Sequence, residues 1–153
     1  MPLREQFTEV LKAAMKGGDK PRVSTVRMIQ AALKDKDIEA RGAGKGPIPD
    51  DEILGLLQKM TKQRQESVGI YEENGRPELA AGERAEIAII ADFLPKQLDE
   101  AETATAVADA IASTGAASPK DMGKVIAHLR AAYAGRMDFG KASGVVKAKL
   151  AGG

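Results

Sequence analysis

In every stretch between its glycine and proline breaks, the chain spaces its apolar residues three and four positions apart, and nowhere does it alternate them. A period near 3.6 without a period of 2 commits such a chain to helices and leaves no strand from which to build a sheet. Phe7, Val10, Leu11 and Ala14 predict a helix over 3–16 that stops at Gly17-Gly18. Val23, Val26, Ile29 and Leu33 predict a second, opening near Asp19 or Pro21 and ending near Gly42, and so short a join makes the two a hairpin. Residues 42–49, Gly-Ala-Gly-Lys-Gly-Pro-Ile-Pro, read as a flexible linker. The third helix begins on Asp50-Asp51-Glu52, whose charges favour the helix dipole, and carries Ile53, Leu57, Met60, Val68 and Tyr71 in one stripe as far as Asn74-Gly75-Arg76-Pro77. A fourth is predicted over 78–94, faced by Ile87, Ile90 and Leu94 and stopped by Pro95.

Beyond Pro95 the residues become smaller. Asp99 with Glu102 forms a capping pair that opens a fifth helix ending at Gly115. Ser118-Pro119-Lys120-Asp121 combines a hydroxyl cap, a proline at the first helical position and an acid at the third, and it starts a sixth. Met122, Val125, Ile126, Leu129 and Tyr133 give that helix its inner face, and Ala142, Val145, Val146 and Leu150 give the last helix its own. The fold predicted is all-α, with an N-terminal four-helix domain over 1–94 and a small C-terminal three-helix domain over 95–153. Aromatic residues amount to 3% and tryptophan is absent, so both cores must be built from aliphatic side chains and methionine.

Several chemistries are ruled out by residue type alone. Without cysteine there is no disulfide, no thiolate nucleophile and no cysteine metal site. His128 is the only histidine and no nucleophile is marked beside it, so it reads as a surface residue. Gly42-Ala43-Gly44-Lys45-Gly46 imitates a phosphate loop but lacks the strand before it, the spacing and the hydroxyl after the lysine. Asp50, Asp51 and Glu52 point in three directions around a helix and serve as capping charges, not as metal ligands. No cofactor or metal is expected. No apolar run approaches the roughly 20 residues that span a bilayer, and Met1-Pro2-Leu3-Arg4-Glu5 resembles neither a signal nor a transit peptide, so the expected location is the cytosol.

The charge is unevenly distributed. Formal net charge is +1, yet from Lys120 onward seven basic residues face only Asp121 and Asp138, a local excess of +5. Such a surface attracts a polyanion, or is simply a solvated helix face. Gly123 stands in the first turns of a helix, where glycine costs up to about 1 kcal/mol relative to alanine, and so calls for close approach of another helix or of a partner's backbone. The few aromatics speak against base stacking and for contact with a phosphate backbone. On the third helix Lys62, Arg64 and Tyr71 form a second candidate, a polar partner-binding interface, with intrahelical pairing of Lys62 with Glu66 as the plain alternative.

Lys62-Gln63-Arg64-Gln65-Glu66-Ser67 with Tyr71, Gly75-Arg76, Phe93-Leu94-Pro95, Gln97-Leu98, Asp121-Met122-Gly123-Lys124-Val125 and Gly135-Arg136, in that order, resemble the YqeY family over essentially the whole chain. That family is similar to the helical and tail domains of GatB, the amidotransferase subunit that acts on misacylated Glu-tRNA or Asp-tRNA. The resemblance implies a tRNA-contacting tail in which Lys124, Arg136 and Lys141, with Arg130 and Lys147 of the same basic segment, touch phosphate. The ATP- and magnesium-dependent chemistry of that subunit belongs to a separate domain, for which no residues remain here. The expected function is a non-catalytic tRNA-binding or amidotransferase-associated accessory module. The alternatives are a protein-interaction adaptor without a nucleic-acid ligand, docking through the third-helix stripe or a groove between the domains, and, third, a component of a carbon-nitrogen ligase. Where the family has Gly-Arg-Ala-Asp, this chain has Gly135-Arg136-Met137-Asp138-Phe139, and that apolar pair is expected to dock on the neighbouring domain.

Overall fold

The computed structural model describes residues 1–152. All regular structure among them is helical, and the chain divides into two compact units, Met1–Leu94 and the segment from Pro95 onward.

The first unit holds α1 (Leu3–Gly17), α2 (Lys20–Gly42), α3 (Asp50–Glu73) and α4 (Pro77–Ala91). Gly18, at φ 68°, closes α1 in the left-handed conformation, which lets the Asp19 N–H reach the Ala14 carbonyl at 2.9 Å and turns the chain at once into α2. Asp19 then caps α2, its carboxylate accepting from the Arg22 N–H at 3.2 Å. Helix α1 packs on α2, α2 on α4 and α3 on α4. Between them lies a core of large side chains, among them Phe7, Val26, Ile29, Ile53, Leu57, Ile90 and Phe93, with the two phenylalanine rings edge to face at 4.9 Å. Removing one such side chain from water contributes roughly 1.5–3 kcal/mol.

Three expectations need correction here. The linker at 42–49 is anchored: Ile48 is buried, its N–H donates to Asp37 Oδ1 at 3.0 Å, and its carbonyl accepts from Arg4 at 3.0 Å. Arg4 in turn grips both oxygens of Asp37 at 2.8 Å, a two-pronged pair that holds the Asp37 carboxyl down to about 2. Helix α4 ends at Ala91, three residues short of Leu94, because the N–H groups of Phe93 and Leu94 tighten onto the Ile90 and Ala91 carbonyls and swing Phe93 into the core. Finally, the α3 stripe is buried only through Ile53, Leu56, Leu57 and Met60, while Val68 and Tyr71 are half-exposed.

The second unit holds α5 (Glu100–Thr114), α6 (Met122–Tyr133) and α7 (Phe139–Gly152), each packed on the other two. The capping box of α5 is closed in both directions, Asp99 accepting from the Glu102 N–H at 2.7 Å and Glu102 from the Asp99 N–H at 3.1 Å. Ahead of α6 lies a 3₁₀ turn, Pro119–Asp121, so the sixth helix starts later than its cap suggests. Its core is built from small residues, Ala106, Val107, Ala110, Val125, Ala142 and Val146, with Leu129, Leu150 and Met137 the largest.

Candidate nucleic-acid interface

The basic residues of the second unit divide by what holds them. Lys124 sits in the first turn of α6, half-exposed, with its ammonium 3.6 Å from Asp121. Asp121 is itself occupied: its carboxylate accepts the N–H groups of Ala117 at 2.8 Å and Ser118 at 3.2 Å, which, with a smaller part from Lys124, hold it below the usual carboxylate range. The exposed ion pair is weak and screened by salt, so Lys124 stays available to solvent but next to a like-placed negative charge.

Arg130 and Arg136 are held differently. The Arg130 guanidinium lies over the Phe139 ring at 4.9 Å and that of Arg136 over Tyr133 at 5.9 Å. Phe139 and Tyr133 are the only aromatic residues beyond Pro95, so both available rings are covered by an arginine. Stacking fixes the guanidinium plane while leaving its N–H edge outward, and a delocalised, weakly hydrated cation loses little on meeting a phosphate. Among the described residues Arg130 donates no hydrogen bond, and Arg136 gives only Nε, to the Lys96 carbonyl at 3.2 Å. The turn that carries Arg136 is fastened to the start of the unit. Its carbonyl accepts the Leu98 N–H at 2.8 Å, and the Gln97 amide donates to the Gly135 carbonyl at 2.5 Å. Gly135 itself needs φ 76° to make the turn.

Lys141 is exposed in the first turn of α7, where its N–H and that of Gly140 bond to Asp138 Oδ1, and Lys147 is exposed farther along the same helix. Lys124 and Arg130 are six residues apart on α6, as are Lys141 and Lys147 on α7. At 3.6 residues per turn each pair is separated by about 120° around its helix. The five residues therefore do not form one stripe, and the stacked arginines at the α6–α7 turn are the part that is held in place.

Two expectations about this region change. A Cβ built on Gly123 would meet nothing within 4 Å among the described residues, so no other helix of its own unit packs on it and close packing within the unit does not explain it. Met137, 1% exposed, is buried among α5–α7 and Phe139 packs against the same cluster, so the apolar pair serves its own unit's core. His128 is exposed, as read.

The third-helix candidate resolves into unlike parts. The Arg64 side chain is only 15% exposed and turned inward, with Nε on Glu86 of α4 at 2.9 Å and Nη1 on the Met60 carbonyl at 3.0 Å. Three of its five N–H groups are engaged inside the unit, on Glu86, the Met60 carbonyl and the Met28 sulfur, which makes it a tie between α3 and α4. Lys62 is exposed, without the Glu66 ion pair or any other among the described residues, and Tyr71 is half-buried. The apolar part of the α3 stripe lies in the core with α4 packed on α3, so an adaptor would have to use another surface.

Residues 4–150 match the sequence model of the YqeY family, described as Yqey-like protein. The chain belongs to this family. Among curated proteins, similar ones carry the name "Altered inheritance of mitochondria protein 41, mitochondrial". That of Eremothecium gossypii is 31% identical over 101 residues, covering 65% of this chain and 54% of the relative. That of Lachancea thermotolerans is 32% identical over 84 residues, covering 55% and 43%, and that of Vanderwaltozyma polyspora 30% over 84 residues, covering 55% and 44%. The chain thus spans about half the length of the curated relatives it matches. Their names place those relatives in mitochondria, in contrast with the cytosolic expectation for this chain. No helix among the described residues is long and apolar enough to cross a membrane.

Proposed function

We propose that this member of the family is a non-catalytic accessory module that binds the phosphate backbone of tRNA through its second unit. The observation that carries the reading is the pair of ring-stacked arginines, Arg130 on Phe139 and Arg136 on Tyr133, neither facing a carboxylate among the described residues and only Arg136 Nε engaged, on a segment of local charge +5. Covered rings cannot accept a stacked base, so recognition is by backbone and shape, with Lys124, Lys141 and Lys147 adding counterion release around the arginine pair. An association with amidotransferase subunits follows from the resemblance to the GatB tail and is the natural context for such a module. We also read the two units as separately folding domains of four and three helices, since each has its own apolar cluster.

Filter binding of bulk tRNA at two salt concentrations tests the first reading. Log affinity should fall linearly with log salt, and Arg130→Gln with Arg136→Gln should lower both affinity and slope. Absent or salt-independent binding rejects it. Expression of 1–94 alone tests the second, with a cooperative thermal transition expected.

A further inference from the structure

The α1–α2 hairpin carries an open groove of about 760 Å³ that none of the features above employs. Met15, Val23, Met28 and Ala31 line its apolar part, Lys20 and Arg27 its charged part, and no acid contributes to it. Met15 is 55% exposed, an unusual place for a long thioether whose ordinary use is to fill gaps in a core. The two cations also differ from most arginines of the unit. Arg4, Arg22, Arg64, Arg76 and Arg84 each face a carboxylate, whereas among the described residues neither Lys20 nor Arg27 does. The floor is braced from within: Arg64, fixed by Glu86 and the Met60 carbonyl, points Nη2 at the Met28 sulfur at 3.8 Å. Arg64, expected from sequence to touch a partner, is thus a positioning residue beneath a lining side chain.

We propose that this groove docks an acidic amphipathic helix of a partner protein. Leucine or methionine side chains on one face of that helix lie against Met15, Val23, Met28 and Ala31, and its flanking glutamates or aspartates pair with Lys20 and Arg27. Polarizable, unbranched methionines adapt to such a face without demanding one sequence. The lining residues on α2 run from Lys20 to Ala31, roughly 16 Å at 1.5 Å per residue, which matches about three turns of a docked helix. An RNA backbone suits this surface poorly, because it would leave the apolar floor against phosphate. The proposal is therefore independent of the phosphate-binding reading of the second unit.

Fluorescence anisotropy of the full chain with two designed helical peptides tests it. The peptides share one leucine-methionine face and differ only in flanks, glutamate in one and lysine in the other. The acidic peptide should bind about tenfold tighter, the order expected of two partly desolvated ion pairs. Lys20→Glu with Arg27→Glu should erase that preference, and Met15→Glu or Ala31→Arg, both at exposed positions, should abolish binding while leaving tRNA binding unchanged. Equal affinity for the two peptides, no binding of either, or indifference to Met15→Glu overturns the proposal. So does a concentration-dependent dimer that Met15→Glu dissociates, since the groove's occupant is then a second copy of this chain.

Discussion

The two units solve the same problem, a helical core without tryptophan, by different means. The first uses large side chains and ties its charges to one another: Phe7 on Phe93, Arg4 on Asp37, Arg22 on Asp92, Arg64 on Glu86. The second packs alanine and valine, pairs Lys124 only loosely with Asp121 at 3.6 Å, and stacks two arginines on its tyrosine and phenylalanine rings. Arginines can thus be structural in one unit and free to meet a ligand in the other. The deciding factor is whether a carboxylate or an aromatic face lies beneath the guanidinium, since a carboxylate consumes the N–H edge and a ring leaves it open.

The largest effect that would break this contrast lies in the cores. Phe7→Ala should cost about 3–5 kcal/mol in urea unfolding, because a fully buried ring leaves a cavity beside Phe93. Val125→Ala in the second unit should cost less, roughly 0.8 kcal/mol for each methyl group lost plus a cavity term. Equal costs would mean that the small-residue core is as tightly specified as the large one.

Next comes the Arg4–Asp37–Ile48 clamp. Asp37→Asn should cost about 1.5–3 kcal/mol, the usual range for a hydrogen bond to a charged group. The Asp37 carboxyl titrates at about 2 in the folded chain against 3.8 ordinarily, so its contribution is complete above the ordinary value and is lost as pH falls through the folded one. Acid unfolding monitored by circular dichroism should show a loss of stability between those two values in the wild type that Asp37→Asn lacks.

Ligand binding sharpens the contrast further. Arg130→Gln with Arg136→Gln should lower the slope of log affinity against log salt for tRNA by about one per lost phosphate contact, while Arg76→Gln, already paired with Glu78, should leave the slope unchanged. The smallest effect is expected at Gly123. With open space around its Cβ position, Gly123→Ala should raise stability by up to about 1 kcal/mol, measured as a higher Tm. A simultaneous loss of tRNA affinity would assign the bare backbone to the ligand, and unchanged affinity would remove Gly123 from the interface.

Much of the helical structure could be read locally. The left-handed cap at Gly18, the Asp99–Glu102 box and the proline start at Pro119 each rest on residues within a turn of one another, so their chemistry is visible in the sequence. Local chemistry does not decide the structure where a distant group intervenes. Phe93 ended α4 early by dropping into a core made of other helices, and Ile48 was anchored by Arg4 and Asp37, 44 and 11 residues away. Arg64 and Gly123 depart from local expectation in opposite ways, since a charged side chain is turned inward and a helical glycine borders open space.

By itself, then, the sequence determined the all-helical class, most helix starts and stops, the aliphatic character of the cores and the excess of positive charge after Lys120, because periodicity, capping and charge are local properties. The tertiary structure alone decided which cations are spent and which are free, since that depends on the group brought beneath each one from far along the chain. The same is true of the α1–α2 groove, whose apolar floor looks in sequence like ordinary helix-face residues and becomes one surface only where the two helices of the hairpin come together.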